Sequence, residues 1–197
     1  MAVVLRNDVI KRLKKLECYS DRLCFIKISS KPVDIEIVQV YMPTTNHDDD
    51  EIEKLYEEIS EILREEGRGQ VNAIVIGDFN VIVGEESTDK VVGPFGLGRR
   101  DERGKILIDF CKQHDLIVMN TWFKKRKTKL YTWKSPGDTN RHQIDYILVN
   151  QRFRNSIRDV KTLPGADIDP DHKLLVAEVQ TMLKLLIYDL PDGYSES

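Results

Sequence analysis

Apolar positions recur along this chain in two periods. From Asp48 to Gly69, in "DDDEIEKLYEEISEILREEGRG", Ile52, Leu55, Ile59 and Ile62 fall on one stripe with Leu63 beside them, which predicts an amphipathic helix. Its first turn is acidic, as the helix dipole favours, and Gly67 is placed to cap its C-terminus. A second helix is predicted through "KILIDFCKQHD", with Ile106, Leu107, Phe110 and Cys111 on its buried face. Elsewhere the pattern reads as strands. "RLCFIKISS" and "VDIEIVQVYMP" form a pair around a Lys31-Pro32 turn, and Asp34-Ile35-Glu36-Ile37 alternates. "AIVIGDFNVIVGEES", "LIVMNTWF" and "HKLLVAEV" are further strands, and "KLYTWKSPGDTNRHQIDYILV" reads as two strands around Ser-Pro-Gly-Asp. "RFRNSIRDVKTLP" reads as a short helix and a connector.

Many strands with two helical crossovers predict an α/β (α+β) fold: a two-sheet β-sandwich flanked by helices. Residues 1–180 are expected to form one domain, followed by a loose tail at 181–197. The first residues read as the middle of a strand, as though an earlier layer of the sandwich preceded them.

The polar interruptions change the picture. Asp78 and Asn80 break an apolar run, and residues two apart on a strand share a face. Tyr41 follows "IVQV", Asn120 ends "LIVM", Asp145 interrupts "QIDYILV", and Asp171-His172 precedes "KLLVAEV". Each stands where a strand meets a loop. Together they offer three carboxylates, two amides, one phenol and one imidazole. Singly they read as turn formers, caps or structural polar groups. Converging, they suit phosphodiester hydrolysis, which needs an anion neutralised, a water deprotonated and a leaving oxygen stabilised. Hard carboxylate oxygens suit Mg²⁺, and a histidine oriented by an aspartate is tunable near neutral pH.

Charge adds a partner. The net charge of −3 conceals ten acids against two bases at 46–66, and seventeen Lys and Arg against ten acids at 99–173. A basic half invites a polyanion, although solvated faces would give the same count. The run "KKRKTK", with Lys124, Lys125 and Arg126, suits phosphate contacts, a nuclear import signal or a plain solvated hairpin. No apolar run approaches the roughly 20 residues of a membrane span, and the N-terminus lacks a secretory pattern. The chain is therefore expected inside the cell, in the nucleus if the basic run is read as an import signal. Cys18, Cys24 and Cys111 show no CxxC spacing and read as reduced core residues.

"IGDFN", "QIDYIL" and "DPDHKLL" occur in an order that resembles the endonuclease/exonuclease/phosphatase superfamily, whose members include deoxyribonuclease I. "PVDIEIVQVYMPTT", "SDRLCFIKI" and "DERGKILIDFCKQHDLIVMNTWF" are most similar to LINE retrotransposon endonucleases of the RTE or BovB type. The resemblance covers roughly residues 2–180. It implies a Mg²⁺-dependent (or Mn²⁺-dependent) endonuclease acting on the DNA backbone with weak sequence preference. Asp78 would activate the attacking water, with Asn80 orienting it or the phosphate. Tyr41 would hydrogen-bond the phosphate or sit beside Asp78, His172 would face the phosphate, and Asp145 would fix the imidazole. Asp171 would touch the metal, Asn120 would be a secondary site residue, and Trp133 would be a substrate-side aromatic or core. Pro170 stands where the family carries serine.

The resemblance also implies an upstream strand ending in asparagine, then a strand bearing a metal-binding glutamate. Residues 1–40 hold no counterpart: Glu17 and Glu36 lie in other contexts. Two alternatives follow: a catalytically impaired module that binds nucleic acid, or an inositol-phosphate or nucleotide phosphatase. The expectation for the isolated chain is feeble cleavage or none.

Overall fold

The computed structural model describes residues 3–44, 47–66, 71–163 and 171–180. Gly67, Pro170 and the 181–197 tail lie outside them. In chain order the elements are α1 (Asn7–Ile10), β1 (Leu13–Cys18), β2 (Leu23–Ile28), β3 (Ile35–Tyr41), α2 (Asp49–Glu66), β4 (Asn72–Asp78), α3 (Glu102–Gln113), β5 (Leu116–Val118), β6 (Trp133–Lys134), β7 (Arg141–His142), β8 (Asp145–Asn150), β9 (Ile157–Leu163) and β10 (Leu174–Val179).

Among the described residues, six strands form one mixed sheet in the order β1-β2-β3-β4-β8-β5. β3 and β4 run parallel, joined by the α2 crossover, and β8 runs antiparallel between β4 and β5. One face carries Leu23, Phe25, Val38, Val40, Val75, Tyr146 and Leu148, and packs against Ile52, Leu55, Ile59 and Ile62 of α2 and Leu107, Ile108 and Cys111 of α3. The other face carries Ile74, Ile117, Ile147 and Val149, and packs against Ile157, Val160, Leu175 and Ala177 of the β9–β10 pair. This is the expected layered architecture: a mixed sheet with helices on one side and a small second sheet on the other.

Several local expectations are corrected. The first described segment is a short helix followed by β1, which pairs with β2, rather than the middle of a strand. Its polar residues hide it from a hydropathy pattern, because one side of this edge strand stays in water. On α3, Ile106 faces solvent and Ile108 is buried, since Asp101 caps the helix at Gly104 N and fixes which stripe meets the core. The connector after β8 is strand β9, which pairs antiparallel with β10. The strand following the Ser-Pro-Gly-Asp turn is split: Arg141–His142 pairs with β6, and Asp145 onward joins the main sheet.

Glu36 reverses the expected facing of the Asp34–Ile37 alternation. It is 1% exposed on the helix-facing side, with Lys27 Nζ 2.9 Å from its Oε1. Burial pushes the Glu36 carboxyl up, against the opposing pull of Lys27. Cys18 is not a core residue: it is exposed, whereas Cys24 and Cys111 are buried.

Candidate active site

The site is built on one row of the sheet. Tyr41 is the register partner of Asp78 across β3–β4, and Asp78 is the partner of Asp145 across β4–β8. Register partners share a face, so all three side chains project toward the second sheet at one lip of the sandwich. Gly77 makes the approach possible. Its φ is +150°, and a Cβ there would lie 1.8 Å from Val40 O. The "IG-D" step is therefore a backbone requirement.

His172 enters from the other layer, just before β10. The segment Asp171–Lys173 pairs with the β6 edge through Lys134 N to Asp171 O at 2.9 Å and Lys173 N to Thr132 O at 2.7 Å. This holds His172 Nδ1 3.2 Å from Asp145 Oδ2, with Nε2 3.9 Å from Asp78 Oδ2. Ligand atoms of Asp78, Asp145 and His172 all lie within 4.8 Å of one another. The two carboxylates at that spacing fit a hard divalent cation that keeps several of its waters.

Electrostatics follow from the crowding. Burial, reinforced by the Asp145 carboxylate, pushes the Asp78 carboxyl up to about 6. The hydrogen bond to Asp145 holds the His172 imidazole above its ordinary range, with the charges of Asp145, Asp78 and Asp171 adding to it. The site thus pairs a carboxylate that accepts a proton near neutrality with an imidazole biased toward its cation.

The remaining expected residues divide. Asn80 does not share a strand face with Asp78, because β4 ends at Asp78 and Asn80 adopts a left-handed φ of 52°. Its backbone N–H donates to Asp78 Oδ1 at 2.9 Å, and its Nδ2 donates to Met42 O at 2.8 Å. Asn80 therefore ties the Asp78 turn to the end of β3. Asn120 is 3% exposed; its Nδ2 donates to Asp145 O and its Oδ1 accepts from Ile147 N, so it continues the ladder where β5 stops and braces β8 beneath Asp145. The Asp171 carboxylate accepts from Trp133 Nε1 at 3.2 Å, and the Trp133 ring stacks on His142 at 5.8 Å. Lys125 lies 2.5 Å from Asp159 on β9. That is four residues from Leu163, about 13 Å along the strand. Lys124 and Arg126 are exposed.

Three supports escaped the sequence reading. Thr132, fully buried, accepts from both Ile144 N and Asp145 N at 3.0 Å and so sets the start of β8. Tyr146, also fully buried, receives Val83 N at 3.1 Å and fixes the loop after Asp78. The Arg22 guanidinium lies over the Tyr41 ring at 5.3 Å. A lone threonine or arginine carries no pattern that announces these roles.

With this geometry in view, likeness to known proteins becomes informative. A sequence profile described as "endonuclease-reverse transcriptase", of the endonuclease/exonuclease/phosphatase group, matches residues 35–176. The chain belongs to this family. Craniofacial development protein 2 of Bos taurus is 36% identical over 186 residues, covering 94% of this chain and 31% of that protein, so the chain spans about a third of its relative. Among solved structures, the endonuclease domain of TRAS1, a telomere-specific non-LTR retrotransposon, superposes with a TM-score of 0.64 at 17% identity, over 91% of this chain and 73% of that one. The 3′ phosphatase NExo from Neisseria, bound to a product DNA hairpin, gives 0.59 at 14% identity, over 85% and 71%. The resemblance read from "IGDFN", "QIDYIL" and "DPDHKLL" is thereby borne out at the level of family and fold. Among the described residues, no helix is long and apolar enough to cross a membrane.

Proposed function

We propose that this chain is the nuclease module of a Mg²⁺-dependent DNA endonuclease that hydrolyses a phosphodiester bond with an activated water. The observation that carries the reading is the convergence of Asp78, Asp145 and His172 from two layers of the fold. Asp78, with its carboxyl lifted to about 6, would take the proton from the water, and the Asn80 amide oxygen would help to orient it. His172, held by Asp145 and biased toward the cation, would face the phosphoryl oxygens and donate to them. Tyr41, 44% exposed on the same row, would hydrogen-bond the phosphate from the other side. Trp133 beside Asp171 would border the substrate. Asp171 and Asp145 would hold the cation, directly or through water, leaving Asp78 to take the proton. Mg²⁺ there would supply positive charge to the phosphate and acidity to a bound water, and Mn²⁺ would serve in its place.

DNA is the proposed partner, met through its phosphates by the basic half of the chain, including Lys124 and Arg126, and the nucleus is the proposed location. One observation favours a second reading, a DNA-binding module with impaired cleavage: Asp171 bonds Trp133, and the described cluster contains two carboxylates. So few hard ligands imply a Mg²⁺ requirement on the order of millimolar. Nicking of supercoiled plasmid, run beside DNA binding at matched salt, separates the readings. Mg²⁺-dependent nicking abolished by EDTA supports the endonuclease; binding without nicking at any Mg²⁺ concentration supports the second reading.

A further inference from the structure

The β1–β2 hairpin places two thiols opposite each other, outside the Asp78–Asp145–His172 cluster. Cys18 and Cys24 are direct register partners, and the Cys18 thiol donates to Cys24 Sγ at 3.0 Å. One step toward the turn, Tyr19 N donates to Leu23 O at 2.9 Å, so Tyr19 and Leu23 form the hydrogen-bonded pair. Cys18 and Cys24 are then a non-hydrogen-bonded pair, with Cα atoms roughly 4.5 Å apart. That is inside the range of roughly 4.4–6.8 Å that a disulfide spans, and both Cβ atoms lie on one face. Cys18 is exposed, whereas Cys24 is 2% exposed. Cys111 lies in the α3 core on the opposite side of the sheet, out of reach.

We propose that Cys18 and Cys24 form a reversible disulfide across the β1–β2 hairpin, made by exchange with a small-molecule disulfide of the glutathione type. The Cys18 thiolate attacks one sulfur of the small disulfide, forming a mixed disulfide and releasing one small thiol. Cys24 gives up its proton and attacks the Cys18 sulfur, releasing the second. Two protein thiols are oxidised, one small disulfide is reduced, and two small thiols leave. Burial resists loss of the Cys24 proton, so the second step is the slow one. The cross-link closes the turn that carries Arg22, whose guanidinium lies over Tyr41 and whose carbonyl accepts from Tyr41 N at 2.9 Å. The hairpin's redox state thus bears on how firmly the Tyr41 end of the row is held.

The test is equilibration of the folded chain in graded mixtures of oxidised and reduced glutathione, then alkylation and non-reducing trypsin digestion. Trypsin separates Cys18, in Leu16–Arg22, from Cys24, in Leu23–Lys27. The expected result is one linked peptide pair, a protein mass lower by about 2 Da, and full reversal by reductant. The exposed-site variant Cys18→Ser should give no linked pair and leave Cys24 unoxidised. A glutathione adduct that persists on Cys18 while Cys24 stays open to alkylation would overturn the proposal. So would a link through Cys111.

Discussion

Asp78 and Asp145 stand directly opposite each other across β4 and β8, two carboxylates on one face of the sheet. Like charges in that position oppose folding, and so does burial of the Asp78 carboxylate. The arrangement makes sense where a cation or a phosphate transition state repays the cost, and it makes the site measurable through stability.

The first prediction uses that cost. The folded-state pKa of Asp78, about 6, exceeds its unfolded value, so the native state holds the extra proton between pH about 4 and 6. Stability from this group is therefore fully present below pH about 4 and lost as pH rises through about 6. In EDTA at pH 8, Asp78→Asn should be more stable than the parent by about 1–2 kcal/mol, with no gain at pH 4. Urea denaturation at the two pH values measures this. Equal destabilisation at both would mean that Asp78 is not held against its own charge.

A second prediction concerns the imidazole. Asp145 contributes the largest upward influence on His172, so Asp145→Asn should lower the His172 pKa, read by NMR titration of the ring. The stabilisation in this pair is present below the ordinary histidine range and lost as pH rises through the elevated value. Asp78→Asn should lower the His172 pKa by less. An unchanged titration in Asp145→Asn would break the assignment of Asp145 as the group that fixes the ring.

Thr132 supplies a third. Thr132→Val leaves the N–H groups of Ile144 and Asp145 without their acceptor, at a cost of about 1–3 kcal/mol. Thr132→Ser retains the oxygen and should recover most of the stability and any cleavage rate. A serine variant as impaired as the valine would point to lost methyl packing instead.

DNA affinity gives the fourth. Binding by phosphate neutralisation should weaken steeply with salt, and alanine at Lys124, Arg126 and Lys127 together should flatten the slope of log affinity against log salt by roughly one unit per lost contact. Lys125→Ala alone should change the slope less, because Lys125 is already paired with Asp159. A triple variant with the parental slope would assign the run to another role.

Much of this site was legible because its chemistry interrupts apolar runs: Asp78, Asp145 and His172 break or border strands, and the packing of the two sheets brings them together. The supports were not legible. Asn120 was visible as an odd polar residue, yet only the register shows that its amide is spent on the β8 backbone. Thr132 acts through one oxygen shared by two N–H groups, a contact that no period encodes. Strands β1 and β9 escaped because each keeps one side near solvent, which mixes polar residues into the pattern. Asp78 and Asn80 looked like a strand pair until the left-handed backbone at Asn80 placed them on a turn.

The central claim is that Asp78, with Asp145 and His172, acts as one unit on a phosphodiester. A double-mutant cycle on the Mg²⁺-dependent plasmid-nicking rate, using Asp78→Asn, His172→Gln and the pair, tests it most directly. Groups that act together are non-additive. Each single change should reduce the rate by about 100-fold or more, and the double change should be scarcely worse than either. Losses that simply multiply, or a single variant that keeps the parental rate, would contradict the account.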